Sequence, residues 1–219
     1  MGELLLWLAS VLLITVFFCL FDRQSYLTLV ASLIGVTSLI FLAKGNPIGQ
    51  MLMVVFSVLY GVISFNFCYY GEMITYLGMT LPMSVVAFIA WIKNPYKGNR
   101  SEVAVNKISV RDHIFMWVLT PVVTVAFYFI LKAFGTANLL PSTISVATSF
   151  VAVYLSLKRS PYYALAYATN DIILVILWVL AAFYQIRYLS VAVCFVAFLV
   201  NDLYGFFSWR RMERRQMNE

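Results

Sequence analysis

The sequence predicts an all-α protein, a polytopic membrane helix bundle with eight transmembrane helices. Three observations predict this class. Of the 219 residues, 63% are hydrophobic and only 11% are charged, whereas about 25% of residues are charged in an ordinary soluble domain. Apolar stretches close to the roughly 20 residues that a bilayer requires recur along the whole chain. The basic residues fall almost entirely into alternate connections between these stretches.

Charges, glycines and prolines set the limits of each span. The only charge near the start of the chain is the acidic Glu3, so we expect a retained first helix and not a cleaved signal peptide, which would start with basic residues. Lys93 to His113 is the one long hydrophilic loop. The predicted spans are Leu4–Leu20, Leu27–Ala43, Ile48–Tyr69, Met73–Ile92, Ile114–Phe134, Leu139–Leu157, Tyr162–Tyr184 and Tyr188–Trp209.

The basic residues predict the orientation of the bundle, because cytoplasmic loops retain lysine and arginine. Eight spans place both termini on the same side as the second, fourth and sixth connections. That side carries twelve of the 15 basic residues, and the other side carries only Arg23, Lys132 and Arg187. We therefore expect both termini in the cytoplasm and the protein in the plasma membrane. The net charge of +6 is explained by this orientation, and no nucleic-acid partner is expected.

The chain also shows an internal repeat, a common feature of transporters. A shift of 114 residues aligns Lys44-Gly45-Asn46-Pro47 with Lys158-Arg159-Ser160-Pro161, and a shift of 118 aligns Ala90-Trp91-Ile92-Lys93 with Ser208-Trp209-Arg210-Arg211. Spans two to four thus match spans six to eight, and span five supplies the extra crossing that gives both units one orientation. This predicts a 3+1+3 parallel-repeat core preceded by one extra N-terminal helix. The expected divisions are residues 1–23 (peripheral helix), 24–98 (first repeat), 99–135 (cytoplasmic loop and linker helix), 136–213 (second repeat) and 214–219 (cytoplasmic tail).

Two Asn-Asp pairs stand inside apolar spans, in ATNDIILVILW (Ala168 to Trp178) and FLVNDLYGFFSW (Phe198 to Trp209). A carboxylate in a membrane helix costs about 2.5 to 3.5 kcal/mol and usually faces a cavity or a partner. Both pairs start eight residues from the cytoplasmic end of their span, or about 12 Å at 1.5 Å per residue, so they share one level. Helical spacing places aromatic residues beside them. The candidate substrate-binding residues are Tyr167, Asn170, Asp171, Trp178, Asn201, Asp202 and Tyr204.

A structural role for the same residues remains open at this point. Asparagine and aspartate often hold membrane helices together by hydrogen bonds worth about 0.6 to 2 kcal/mol, and a non-transporting scaffold subunit would need only that. Cys19, Cys68 and Cys194 show no metal-ligand spacing and are interpreted as packing residues. The sequence lacks a P-loop, a metalloprotease motif and a nucleophile constellation. We therefore expect no catalytic residues, no metal and no cofactor, and homo-oligomer formation remains open.

Three stretches resemble the PnuC group of bacterial vitamin transporters, and the likeness extends over nearly all the chain from about Leu27. They are YYGEMITYLGMTLPM (Tyr69 to Met83), RSPYYALAYATNDIILVILWVLA (Arg159 to Ala181) and FLVNDLYGFFSWRRM (Phe198 to Met212). The resemblance implies a 3+1+3 fold and uptake of nicotinamide riboside for NAD synthesis. It also implies facilitated diffusion, with intracellular phosphorylation trapping the substrate.

The resemblance is incomplete around Asn170. Better-known members carry tryptophans one and two helical turns before the matching asparagine, whereas this chain has Ala166 and Tyr163 there, with Tyr167 adjacent. Related transporters carry thiamine, riboflavin or deoxynucleosides, and these substrates remain alternatives. Nicotinamide riboside fits the residue chemistry, because its cationic ring suits aromatic faces and carboxylates and its hydroxyls suit asparagine.

Overall fold

The structure is a computed structural model that describes residues 2–67 and 69–219. Cys68, which the sequence analysis interprets as a packing residue, therefore lies outside the described residues. Of the other two cysteines, Cys19 is exposed on the first helix and Cys194 is buried in the last one.

Helices account for most of the described chain. Their bounds, in order, are α1 Gly2–Phe21, α2 Tyr26–Ala43, α3 Ile48–Asn66, α4 Tyr70–Thr75, a π-helix at Tyr76–Thr80, α5 Leu81–Lys93, α6 Val110–Ala133, α7 Leu139–Leu157, α8 Tyr163–Ala182, a 3-10 turn at Ile186–Tyr188, and α9 Leu189–Asn218. Two short antiparallel strands, β1 Pro95–Tyr96 and β2 Asn99–Val103, lie between α5 and α6.

Eight segments of the described residues are long and apolar enough to cross a membrane, which confirms the predicted bundle. The fourth span consists of α4, the π-helix and α5 together. The π-helix is a widened turn that ends two residues before Pro82, whose missing N–H cannot bond to the preceding turn. Below, the side of the bundle that holds both chain ends is called the terminal face, and the other side is called the far face.

The loop after α5 contains structure that the sequence analysis did not predict. Its β-hairpin turns through Lys97 and Gly98, both with positive φ, and packs on the end of α9. The Gln216 side chain accepts a hydrogen bond from the Val105 backbone N–H at 2.8 Å, and Arg215 pairs with Glu102. These contacts explain why α9 continues to Asn218, nine residues beyond the predicted end of the eighth span.

The same loop connects the two links that the repeat alignment matched. The Val103 N–H donates to the Gly45 carbonyl at 2.9 Å, and the Asn106 N–H donates to the Arg159 carbonyl at 3.0 Å. Gly45 and Arg159 are aligned by the 114-residue shift and share a left-handed conformation, with φ of 67° and 57°. One segment therefore bonds to equivalent positions of both three-helix units on the terminal face.

A reciprocal pair of tryptophan bonds further supports the repeat. The Trp91 indole N–H donates to the Ser156 carbonyl at 2.9 Å, and the Trp209 indole N–H donates to the Leu42 carbonyl at 2.7 Å. The two rings meet with centroids 5.3 Å apart. Each unit thus donates to the other at matching positions, as expected for two parallel copies related by an axis along the membrane normal. The repeat itself stays a prediction.

Candidate functional site

A small cavity lies between the two three-helix units, about halfway along the spans. The first unit contributes residues of α2, α3 and the π-helix to its wall, and the second contributes residues of α7, α8 and α9. The lining residues are Leu39, Met53, Phe56, Tyr76, Thr80, Ser149, Tyr167, Asn170, Asp171, Phe195, Phe198 and Asp202. Four of the seven predicted site residues, Tyr167, Asn170, Asp171 and Asp202, are therefore brought together here.

Asn170 is held in one orientation by hydroxyl groups of α7. Its side-chain oxygen accepts hydrogen bonds from Thr148 at 2.8 Å and Ser149 at 3.0 Å, with the Ser145 hydroxyl at 3.5 Å. All of these donors point at the oxygen, which leaves the amide nitrogen as the group that can donate to a ligand. These three hydroxyl groups of α7 thus position the Asn170 side chain.

Asp171 and Asp202 face each other across the α8–α9 interface. Their carboxyl groups lie within hydrogen-bond reach of each other, and both residues are buried, with 3% and 4% exposure. One oxygen of Asp171 has no hydrogen-bond partner among the described residues. None of the residues that line the cavity is basic. The cavity wall therefore offers carboxyl oxygens, amide and hydroxyl groups, and aromatic rings, a set suited to a hydroxylated, positively charged ligand.

Aromatic residues close the cavity toward both faces. Toward the terminal face, Tyr163 packs against Trp91 and Trp209 with ring centroids 6.2 and 4.9 Å apart. Toward the far face, Tyr60 packs against Tyr76 at 4.4 Å. Beyond Tyr60 lies a group that we call the far-face cluster, which consists of Phe67, Tyr69, Trp178 and Tyr188.

Trp178 belongs to this far-face cluster and does not line the cavity. Its indole N–H donates to the Tyr60 hydroxyl at 2.6 Å, and its ring meets Tyr69 and Tyr188 at 4.9 and 5.8 Å. The residue is fully buried. Trp178 therefore lies one aromatic layer away from the cavity.

Asn201 and Tyr204 face the first helix and not the cavity. Asn201 donates to the Ser10 hydroxyl at 2.8 Å and to the Ala197 carbonyl at 2.8 Å. The Tyr204 hydroxyl donates to Glu3 at 3.2 Å. The two residues of the second Asn-Asp pair therefore face different ways. Asp202 points to the cavity, and Asn201 holds α1 against α9.

The sequence analysis missed several residues of this region. Tyr76 and Thr80 come from the widened turn, which only the structure reveals, although both lie in a stretch quoted for the family resemblance. Glu72 is only 1% exposed, and neither of its carboxyl oxygens has a hydrogen-bond partner among the described residues. The predicted fourth span begins at Met73, which left Glu72 in a connection, whereas the structure places it inside the span Tyr70–Lys93. An acidic residue inside an apolar span is a signal for a functional position.

The cavity is closed in this conformation. Its volume is about 20 Å³, enough for one water molecule and far below the roughly 300 Å³ at which pockets for drug-sized ligands begin. A ligand with a ring and a sugar therefore requires the two units to separate. Among residues 2–67 and 69–219, no cluster of three potential metal ligands occurs.

Comparisons with known proteins agree with this architecture. A family model described as nicotinamide mononucleotide transporter matches residues 25–211. A nicotinamide riboside transporter PnuC from Neisseria mucosa is 27% identical over 97% of this chain and 82% of its own length. Another protein of that name, from Haemophilus influenzae, is 21% identical over 95% of this chain and 90% of its own length.

The fold matches a solved structure over nearly its full length. The crystal structure of the vitamin B3 transporter PnuC aligns with a TM-score of 0.84 and 24% identity, covering 98% of this chain and 93% of that one. The family model covers the seven spans from α2 onward, together with the cavity between the two units. The chain is therefore a multi-pass membrane protein that belongs to the PnuC-type nicotinamide mononucleotide transporter family.

Proposed function

We propose that this protein takes up nicotinamide riboside across the plasma membrane by facilitated diffusion and so supplies NAD synthesis. The observation that carries the proposal is the cavity between the two units, where Asn170, Asp171 and Asp202 meet aromatic side chains. Both curated relatives named above are nicotinamide riboside transporters.

Charge favours the riboside over the mononucleotide in the family's name. A phosphate group carries roughly −1.5 to −2 charges at neutral pH and is usually bound by arginine, lysine or a helix N-terminus. The cavity lining contains two aspartates and no basic residue. A phosphorylated ligand would be repelled there, whereas the cationic pyridinium of the riboside would be attracted. The same charges would keep the phosphorylated product from leaving the cell by this route.

Within the cavity, each group has a distinct role in this proposal. The Asn170 amide, oriented by the hydroxyls of α7, donates to the ribose, and the Asp171–Asp202 pair accepts from ribose hydroxyls or faces the ring's charge. Tyr167 and the other rings of the wall pack against the pyridinium. Trp178 forms part of the aromatic layer that closes the cavity toward the far face, so it affects entry of the substrate. Asn201 and Tyr204 hold α1 against α9.

The charge distribution supports a cytoplasmic terminal face. Twelve of the 15 basic residues belong to the connections and tail on that face, the pattern that cytoplasmic loops follow. The far face would then be extracellular. In this orientation the riboside passes the far-face cluster first, and the layer of Trp91, Tyr163 and Trp209 opens afterwards toward the cytoplasm.

Uptake by proteoliposomes tests the function. With purified protein and labelled nicotinamide riboside, we expect protein-dependent uptake without ATP or an ion gradient, ending when the inside and outside concentrations are equal. Unlabelled nicotinamide riboside should compete, and nicotinamide mononucleotide should not. Uptake of thiamine, riboflavin or a deoxynucleoside without uptake of the riboside would refute the substrate, and accumulation above the outside concentration would refute facilitated diffusion.

Two matched substitutions test the site. Asn170→Ala removes the amide that faces the cavity, and we expect it to abolish riboside binding. Asn201→Ala removes the amide of the other Asn-Asp pair, which bonds to Ser10 outside the cavity. This control should retain binding and lose only about 1 kcal/mol of stability. Equal loss of binding in both variants, tracking the loss of thermal stability, would assign Asn170 a purely structural role.

A further inference from the structure

A positively charged side chain, that of Arg187, lies against the far-face cluster. The guanidinium of Arg187 lies over the Phe67 ring at 5.2 Å and over the Tyr188 ring at 5.4 Å, measured to the ring centroids. Both distances are within the roughly 6 Å limit of cation–π attraction. Arg187 is exposed, and its side chain has no hydrogen bond or ion pair within the part of the chain that the structure describes. Its guanidinium thus lies against two aromatic faces.

The rings beneath Arg187 form a continuous aromatic unit. Phe67 meets Tyr188 at 4.9 Å, Tyr69 meets Trp178 at 4.9 Å, and Trp178 meets Tyr188 at 5.8 Å. Trp178 is bonded in turn to Tyr60, which packs on the cavity residue Tyr76. An organic cation that reached Phe67 and Tyr188 would therefore stand at the start of an aromatic path to the cavity.

A buried carboxylate interacts electrostatically with this cation. Asp22, in the link between α1 and α2, is only 5% exposed, and one of its oxygens has no hydrogen-bond partner among the described residues. It interacts electrostatically with Arg187, although the two side chains form no ion pair within 4.0 Å. An unpaired buried carboxylate oxygen is costly. A guanidinium that moved from the rings to Asp22 would remove this cost by forming an ion pair with the carboxylate.

We propose that Phe67 and Tyr188 form an entry site for flat organic cations, where the pyridinium of the substrate displaces the Arg187 guanidinium and Asp22 receives the displaced group. This inference rests on the proposed uptake of a pyridinium riboside. The site is separate from the central cavity, since neither ring lines it. In this structure Arg187 occupies the position that the substrate's charge takes on arrival.

The test uses 1-methylnicotinamide, a pyridinium cation without the sugar, and a fluorescent reporter at the site. Phe67→Trp keeps an aromatic face under Arg187, and an electron-accepting pyridinium quenches an indole that it contacts. In detergent-purified protein we expect 1-methylnicotinamide to quench the fluorescence of the Phe67→Trp variant saturably and more strongly than that of the wild type. Neutral nicotinamide should not cause this additional quenching. Equal quenching by the neutral compound would overturn the proposal.

Arg187→Gln in the reporter background removes the competing cation. We expect the midpoint of quenching to fall by about twofold to fivefold, the range that a cation–π contact at an exposed site implies. Lys132→Gln is the matched control, because Lys132 is also a basic residue of the far face but lies over the Tyr128 ring, away from the cluster. An unchanged or higher midpoint in Arg187→Gln, or an equal shift in Lys132→Gln, would contradict the exchange.

The role of Asp22 is tested by a double-mutant cycle. Asp22→Asn should raise the midpoint when Arg187 is present, because the displaced guanidinium loses its acceptor, and should have little effect in the Arg187→Gln background. If Asp22→Asn raised the midpoint equally in the Arg187→Gln background, Asp22 would act on the ligand directly. That result would refute the proposed exchange.

Calorimetric titration of wild type and Arg187→Gln with 1-methylnicotinamide gives the same comparison without the reporter. Riboside uptake is measured separately. Absent uptake with intact quenching would therefore refute the proposed function alone, and the reverse result would refute the entry site alone.

Discussion

Replacing Trp91 or Trp209 by phenylalanine tests whether the two three-helix units are held together symmetrically on the terminal face. Each substitution removes one indole N–H bond, of 2.9 or 2.7 Å, and leaves both rings' positions aromatic. Both tryptophans are fully buried. The reciprocal bonds predict that the two substitutions lower the free energy of unfolding by the same amount.

The expected magnitude follows from what remains after each change. The Ser156 carbonyl also accepts from the Arg159 N–H, and the Leu42 carbonyl also accepts from the Gly45 N–H. Neither oxygen is left unpaired, so the lost bond costs about 1 kcal/mol and not the larger penalty of an orphaned carbonyl. The smaller ring adds about 1 to 2 kcal/mol of lost packing. We therefore expect about 2 to 3 kcal/mol for each variant.

Thermal unfolding of the detergent-purified protein measures this loss. A chain of this length loses about 2 to 4 °C of Tm per kcal/mol, so each variant should unfold about 4 to 12 °C earlier. The double variant should lose less than the sum, because the rings are in contact at 5.3 Å and share partners. Trp117→Phe, at a position 62% exposed on α6, is the control and should change Tm little. A large loss in only one of the two variants would refute the symmetric arrangement.

Two further predictions concern the first helix and its link. Asn201→Ala should cost about 1 kcal/mol of stability and leave riboside affinity unchanged, because the side chain bonds to Ser10 outside the cavity; a lost affinity at unchanged Tm would contradict this placement. Burial raises the pKa of Asp22, with partial offset from the Ser25 backbone and Arg187, so the folded state favours its protonated form and loses stability as the pH rises through that pKa. Asp22→Asn should therefore raise Tm at pH 7 and match wild type near pH 4, and an equal Tm difference at both values would contradict the assignment.

Much of the fold could be predicted from local properties of the sequence. A transmembrane helix satisfies its backbone hydrogen bonds within its own segment, so its existence and approximate ends depend on nearby apolar residues and not on distant partners. This is why the eight spans were predicted correctly. The hairpin and the extension of α9 were not predicted, since each is held by the other through Glu102, Arg215 and Gln216, far apart in sequence.

The candidate site likewise combines features that the local sequence predicts with features that depend on packing against distant helices. Composition, span length and helical spacing were enough to indicate a membrane bundle with two Asn-Asp pairs at one depth. Asn170 and Asn201 have the same local setting, yet α7 turns one toward the cavity and α1 draws the other away from it. Depth along a helix follows from counting residues, whereas the direction of a side chain depends on which distant helix packs beside it. Only the tertiary structure decided that, because packing between segments about 190 residues apart leaves no local pattern in the chain.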